Sequence, residues 1–321
     1  MKNPDSQTPP SLEGFLKRLE GLMEKGERLL ARLDPPASPP DELFARHIAF
    51  RWEREGRGGV FRIVRHPDLV DHKELFGIDN ALEILNRNTL QFVRGLPANN
   101  VLLWGERGNG KSSAIRGLLR LFAADGLRLV EVSKEELWQL HAITALLRER
   151  PYRFILFCDD LSFDESEISY RELKAILDGG LEVRPENVLI YATSNRRHLL
   201  PEHFAENLSG TEIHPEEAVS EKISLSERFG LRLGFYPMSR EVYLEIVRQG
   251  AARRGLRIDG EELMAEAERW GLRQGGRSGR AARQFIDDLS GRLALEGRAP
   301  ALTLSGGNDT KSALTNYQRG K

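Results

Sequence analysis

Short apolar runs recur through the middle of the chain, at 101–104, 127–132, 154–158 and 188–192, with a weaker one at 231–235. Each has the length of a buried strand and is too short for a buried helix. Between them, over 112–124, 134–148 and 168–178, apolar positions return at helical spacing. Alternation of this kind predicts an α/β fold, a parallel sheet with helices on both faces. Beyond Ser239 the strand pattern stops. Val242, Leu244, Ile246 and Val247, then Leu263 and Ala267, then Ala282, Phe285, Ile286 and Leu289 predict three helices in a small helical domain.

Upstream, Leu12, Phe15, Leu16, Leu19, Leu22, Met23, Leu29, Leu30 and Leu33 form a helical stripe after a plausible Ser11 cap. The opposite face is charged, so the stripe must lie on something, either this molecule or a partner. A stiff proline linker at 34–40 follows. A helix is predicted over 41–54, with Leu43, Phe44, Ile48 and Trp52 as its apolar side, then a short strand at 60–64. Asp79 reads as the N-cap of a helix that runs to Arg94 and stops at Gly95 and Pro97. These patterns divide the chain into an N-terminal helical extension (1–73), an α/β core (74–238), a helical lid (239–298) and a loose tail (299–321).

The bulk properties change this picture little. Net charge is −1 in 321 residues, which predicts no global attraction to DNA or to an anionic membrane. No apolar run has the length of a membrane span, the N-terminus lacks the apolar core of a signal peptide, and a cytoplasmic location is expected. The one cysteine, Cys158, lies in an apolar run and reads as structural.

Candidate chemistry begins at 105–112, which reads G-x-x-x-x-G-K-S between a predicted strand and a predicted helix. That is the context a phosphate-binding P-loop requires. Gly105, Gly108, Asn109, Gly110, Lys111, Ser112 and Ser113 form the expected nucleotide-binding set. Backbone N–H groups and the helix N-terminus face the phosphates, Lys111 reaches the β- and γ-phosphates, and Ser112 ligates Mg²⁺. One βα unit later, the run at 154–158 ends in Asp159 and Asp160. Asp159 is expected to hold the Mg²⁺ hydration shell with Ser112, and Asp160 to orient or activate the attacking water. The run at 188–192 ends in Thr193, Ser194 and Asn195; Asn195 suits either the water and γ-phosphate or local backbone.

Taken together, the P-loop, the acidic strand, Ala192-Thr193-Ser194-Asn195, Leu225-Ser226-Glu227-Arg228-Phe229-Gly230 and the helical lid resemble an AAA+ ATPase over about 75–295. The wording NNVLLWGERGNGKSS, CDDLSFDE, ATSNRRHLLPE and SERFGLRLGFYP is similar to a family of bacterial AAA+ ATPases whose role is uncharacterised. The resemblance implies ATP and Mg²⁺ as ligands and a homo-oligomer, a ring or an open ring. It implies Asn195 as sensor 1, Arg228 as an arginine finger reaching a neighbour's nucleotide, and Arg280 as the lid sensor with Arg283 in reserve. Phe76 and Gly77 stand where the adenine packs.

Three departures shape the expected function. Asp160 stands where the superfamily mostly has Glu, a carboxylate drawn back by about 1 Å, which suits slow turnover; Glu165 is a substitute base. No aromatic–apolar–Gly pore loop precedes the acidic strand, since Trp138 lies in a helical pattern and reads as core. The acidic stretch 201–222, with His203 and His214, reads as a partner-facing loop. The leading expectation is an ATPase that remodels or loads a macromolecular client. The alternatives are a slow ATP-dependent switch or scaffold, a nucleic-acid ATPase resembling a helicase loader, and a small-molecule kinase. The arginine-rich lid is interleaved with acids, so nucleic acid is not favoured as the client.

Overall fold

The computed structural model describes residues 39–56, 58–163, 168–178, 185–197, 199 and 225–297, together with Leu19, Gly21, Leu22, Met23, Lys25 and Gly26. Most of the expected helix over 11–33, Glu165, the acidic stretch 201–222 and the tail 299–321 lie outside the described residues.

The five expected strands form: β3 (Val101–Gly105), β4 (Leu127–Glu131), β5 (Arg153–Cys158), β6 (Val188–Ser194) and β7 (Leu231–Phe235). They pair in parallel, and with two further strands, β1 (Ala49–Glu55) and β2 (Gly58–Ile63), the full sheet has the order β2-β1-β4-β5-β6-β3-β7. Strands buried on both faces need continuous apolar runs. β5 and β6 meet this demand, with every residue but Arg153 buried. One face is covered by α2 (Asp79–Val93) and α3 (Lys111–Phe122), through Leu85, Phe92, Ile115 and Leu118. The other is covered by α4 (Leu140–Leu147) and α5 (Ile168–Asp178), through Ile143, Leu147, Leu173 and Ile176. The helix expected over 134–148 opens as a 3-10 segment, Lys134–Gln139, with Trp138 half-buried there rather than in the core. The first turn of α2 is not capped by Asp79, which is its first residue; Ile78 stands at the cap without a side-chain bond.

The N-terminal expectation needs correction. The helix predicted over 41–54 is one short helix, α1 (Asp41–Arg46), followed by a strand, β1 (Ala49–Glu55). β1 forms an antiparallel hairpin with β2 (Gly58–Ile63) and runs parallel to β4, so residues 49–63 belong to the core sheet and not to a separate helical extension. Phe44, Phe50, Trp52 and Phe61 all enter the core beside Phe154, and the Trp52 indole N–H donates to Gln139 Oε1 at 2.8 Å. Buried Arg128 on β4 fastens α1, donating to Phe44 O at 2.6 Å.

The lid consists of α6 (Arg240–Arg253), α7 (Gly260–Arg273) and α8 (Gly279–Leu295) around a separate core of Tyr243, Val247, Ala267, Phe285 and Leu289. Its helices start where the side chains dictate. Ser239, Asp259 and Ser278 each accept a bond from a first-turn backbone N–H, an N-cap contribution of about 1 kcal/mol apiece.

Candidate functional site

The parallel register brings three strand ends together. β3 pairs Trp104 with Ser194 of β6, and β5 pairs Cys158 with Ala192. One residue further along, Gly105 therefore reaches the level of Asn195, and Asp159 that of Thr193. Parallel α/β sheets bind ligands at this carboxyl edge.

The loop after β3 turns on three glycines with φ of 131° (Gly105), 80° (Gly108) and 96° (Gly110), conformations that side chains oppose. It wraps the start of α3, whose first residue is Lys111. Lys111 is 7% exposed, and its Nζ donates to Gly105 O and Glu106 O at 2.7 Å each and to Asn195 Oδ1 at 3.1 Å. Burial lowers its pKa from the usual lysine value, against the opposing pull of Asp160 and Asp159. Ser112 Oγ donates to Asp159 Oδ1 at 2.6 Å, and the Thr193 hydroxyl donates to the same oxygen. Asn195 is held at both ends of its amide: Oδ1 accepts from Lys111, and Nδ2 donates to Asp160 Oδ1. Arg107 stands 3.7 Å from the other Asp160 oxygen.

These groups line one cavity of about 940 Å³ between core and lid. At the other end it is walled by Leu75, Phe76 and Ile78 from the core and by Met238, Ile246 and Ile286 from the lid. An apolar chamber joined to a cationic, glycine-lined one matches the two halves of a nucleotide. Ser113, Arg280 and Arg283 also line it, whereas Gly77 does not and faces α6, where a Cβ would meet Val242 Cγ1 at 2.9 Å. Polar contacts dock the lid on the core. The Arg280 backbone N–H donates to Gly108 O at 3.2 Å, and Arg253 on α6 pairs with Glu74 beside the apolar end.

Arg228 is not brought to this cavity; it pairs with Asp178 at the end of α5. Asp159 and Ser112 offer only oxygen donors, the hard kind that suits Mg²⁺. Among the described residues no cluster of three or more His, Cys, Asp and Glu could hold a metal by itself. Cys158, one residue before the acids, is fully buried, and burial pushes its thiol up to about 12. Sequence reasoning gave no role to Thr193, although a hydroxyl two residues before Asn195 at the end of an apolar strand was its signal. It also gave none to Arg107 or to the lid's Met238, Ile246 and Ile286.

No curated protein matches this chain. Among solved structures, the Thermotoga maritima RuvB Holliday junction branch migration motor is similar at a TM-score of 0.50 and 17% identity, over 71% of this chain and 66% of that one. This chain thus corresponds to just under two thirds of that motor. A form of the same motor with a lysine-to-arginine substitution gives a TM-score of 0.51, also at 17% identity. No described helix is long and apolar enough to cross a membrane. The sheet order, the P-loop and the helical lid are those of the AAA+ fold, and through residues 45–293 the chain belongs to the family described as "protein of unknown function (DUF815)".

Proposed function

We propose that this protein binds Mg-ATP in the cavity between core and lid and hydrolyses it, at a site completed by Arg228 of a second copy. The observation that carries the reading is the chain of contacts Lys111–Asn195–Asp160 beside the Ser112–Asp159 pair. A phosphate-seeking cation, a polar amide and a carboxylate then stand in sequence from the loop outward. The triphosphate takes the loop's N–H groups and displaces Lys111 from its backbone carbonyls. Asn195 and Asp160 hold a water in line with the γ-phosphorus. As its oxygen bonds to phosphorus, Asp160 takes its proton and the bond to the β-phosphate oxygen breaks, leaving ADP and phosphate. Ser112 and Asp159 would hold Mg²⁺, which supplies charge neutralisation on the β- and γ-oxygens.

Arg228 supports the shared site, because it lies outside its own cavity while the cavity carries a developing charge to neutralise. In this reading the ring or open ring of subunits transmits lid closure to a macromolecular client, which it remodels or loads. Only a difference in nucleotide affinity between open and closed lids can drive that motion. The test is steady-state ATPase activity of wild type, Asp160→Ala and Arg228→Ala, alone and mixed. Each variant alone is expected to be inactive, and their mixture to regain activity, since one supplies the finger and the other the intact site. Wild-type turnover by Asp160→Ala sinks the base assignment, and a mixture no better than its parts sinks the shared site.

A second reading, a slow ATP-dependent switch, is favoured by the short carboxylate of Asp160. A burst of one phosphate per subunit followed by very slow turnover is its signature.

A further inference from the structure

We infer that Thr193 is a positioning residue that sets both acids at once and compensates for the shortness of Asp160. The inference rests on the reading of Asp160 as the base. Asp160 has φ of 52°, the left-handed region that a side-chain-bearing residue seldom enters. Three contacts from the end of β6 fix the chain there. The Asp160 N–H donates to Thr193 Oγ1 at 2.8 Å, the Leu161 N–H donates to Thr193 O at 2.8 Å, and Ser194 Oγ donates to Leu161 O at 2.6 Å. Thr193 and Ser194 are buried, with 1% and 0% exposed, so water does not replace these bonds.

A hydroxyl has one proton to give and lone pairs to receive. Thr193 gives its proton to Asp159 and receives the Asp160 N–H, so the two acids are oriented by the two faces of one oxygen. The Asp159 carboxylate is thereby aimed at Ser112, and the left-handed turn throws the next side chain back toward Asn195, to which it is bonded. A glutamate on an ordinary extended strand gains its reach from an extra methylene. Here the backbone supplies the reach, and the hydroxyl holds the backbone.

Two substitutions separate this from a packing role. Thr193→Val keeps the volume and branching and removes only the hydroxyl; Thr193→Ser keeps the hydroxyl and removes a methyl. A carboxylate displaced by about 1 Å costs on the order of 100-fold in rate. Thr193→Val is therefore expected to lower kcat by roughly 10- to 100-fold, with the KM for ATP and the Kd for a fluorescent ATP analogue changed by less than about threefold. Thr193→Ser is expected to retain most of kcat. Asp160→Glu is expected to be slower than wild type, because its carboxylate overshoots from the turned backbone. Thermal melts of each variant establish that it is folded. Equal losses in the Val and Ser variants, or wild-type kcat in Thr193→Val while Asp160→Ala is inactive, would overturn the inference and leave the base assignment standing. Wild-type kcat in Asp160→Ala fails the underlying reading instead.

Discussion

Gly105 is the point where the loop's geometry can be tested most directly. Its φ of 131° belongs to a region that glycine alone occupies at low cost, and forcing alanine there costs about 1–3 kcal/mol. The second charge is steric: a Cβ on Gly105 would stand 2.0 Å from Phe235 O and 2.8 Å from Phe235 C. Neither atom can retreat, since Gly105 is in register with Phe235 across the β3–β7 pair and the Glu106 N–H donates to Phe235 O. Overpacking of this kind adds about 1–3 kcal/mol. The sum, about 4 kcal/mol at its centre, is a large part of an ordinary stability of roughly 5–15 kcal/mol. At about 2–4 °C per kcal/mol, Gly105→Ala should lower Tm by roughly 8–16 °C. Gly260→Ala is the control: no atom lies within 4 Å of its would-be Cβ, it opens α7, and it should be neutral or slightly stabilising. The assay is thermal denaturation followed by circular dichroism, with binding of a fluorescent ATP analogue measured below both transitions. A Gly105→Ala protein that melts within about 2 °C of wild type and binds nucleotide normally refutes the reasoning.

Three further outcomes follow from the same geometry. Because burial lowers the Lys111 pKa below its ordinary 10.5, the unfolded chain keeps that proton to higher pH than the folded one, and stability rises with pH toward 10.5; Lys111→Met should lose this rise in nucleotide-free denaturation curves, and equal slopes in both proteins count against it. Cys158, buried and with its thiol near 12, should react with a thiol reagent only at the rate of global unfolding, so prompt labelling of native protein contradicts its placement. The Arg253–Glu74 pair ties lid to core across the apolar end of the cavity, and both side chains are about half exposed. Arg253→Ala should therefore speed release of a fluorescent nucleotide by only about 2- to 5-fold, an effect that salt diminishes, and an unchanged off-rate at low salt rejects the latch.

How much of this was legible in the sequence depended on whether a signal was local. The loop, the acidic strand and Asn195 are runs in which residue type and order carry the signal, and β3 to β7 are apolar enough to be read without knowledge of their neighbours. β1 was not. Phe44, Ile48 and Trp52 fall four apart and mimic a helix, while the true alternation, Phe50 and Trp52 in and Arg51 and Glu53 out, has only two inward members. The glycines at 56, 58 and 59 between two candidate runs were the hairpin signal that outweighs that spacing. Thr193 was hidden for another reason. A threonine at a strand end is ordinary until the register places it against the next strand's acids, and register is a property of the sheet, not of the run.

The β1–β2 hairpin has a practical consequence for anyone dividing this protein into parts. Motifs alone would start the α/β core near residue 74, yet the sheet continues through residue 49, and the family match begins at residue 45. Cutting at 74 would remove Phe44, Phe50, Trp52 and Phe61 from the core. It would also leave the hydrogen-bonding edge of β4 bare, a template for pairing with other chains. The shorter piece would carry every residue that lines the core–lid cavity and still be the wrong unit, prone to aggregate, so that a failure of it to bind nucleotide would say nothing about the intact chain.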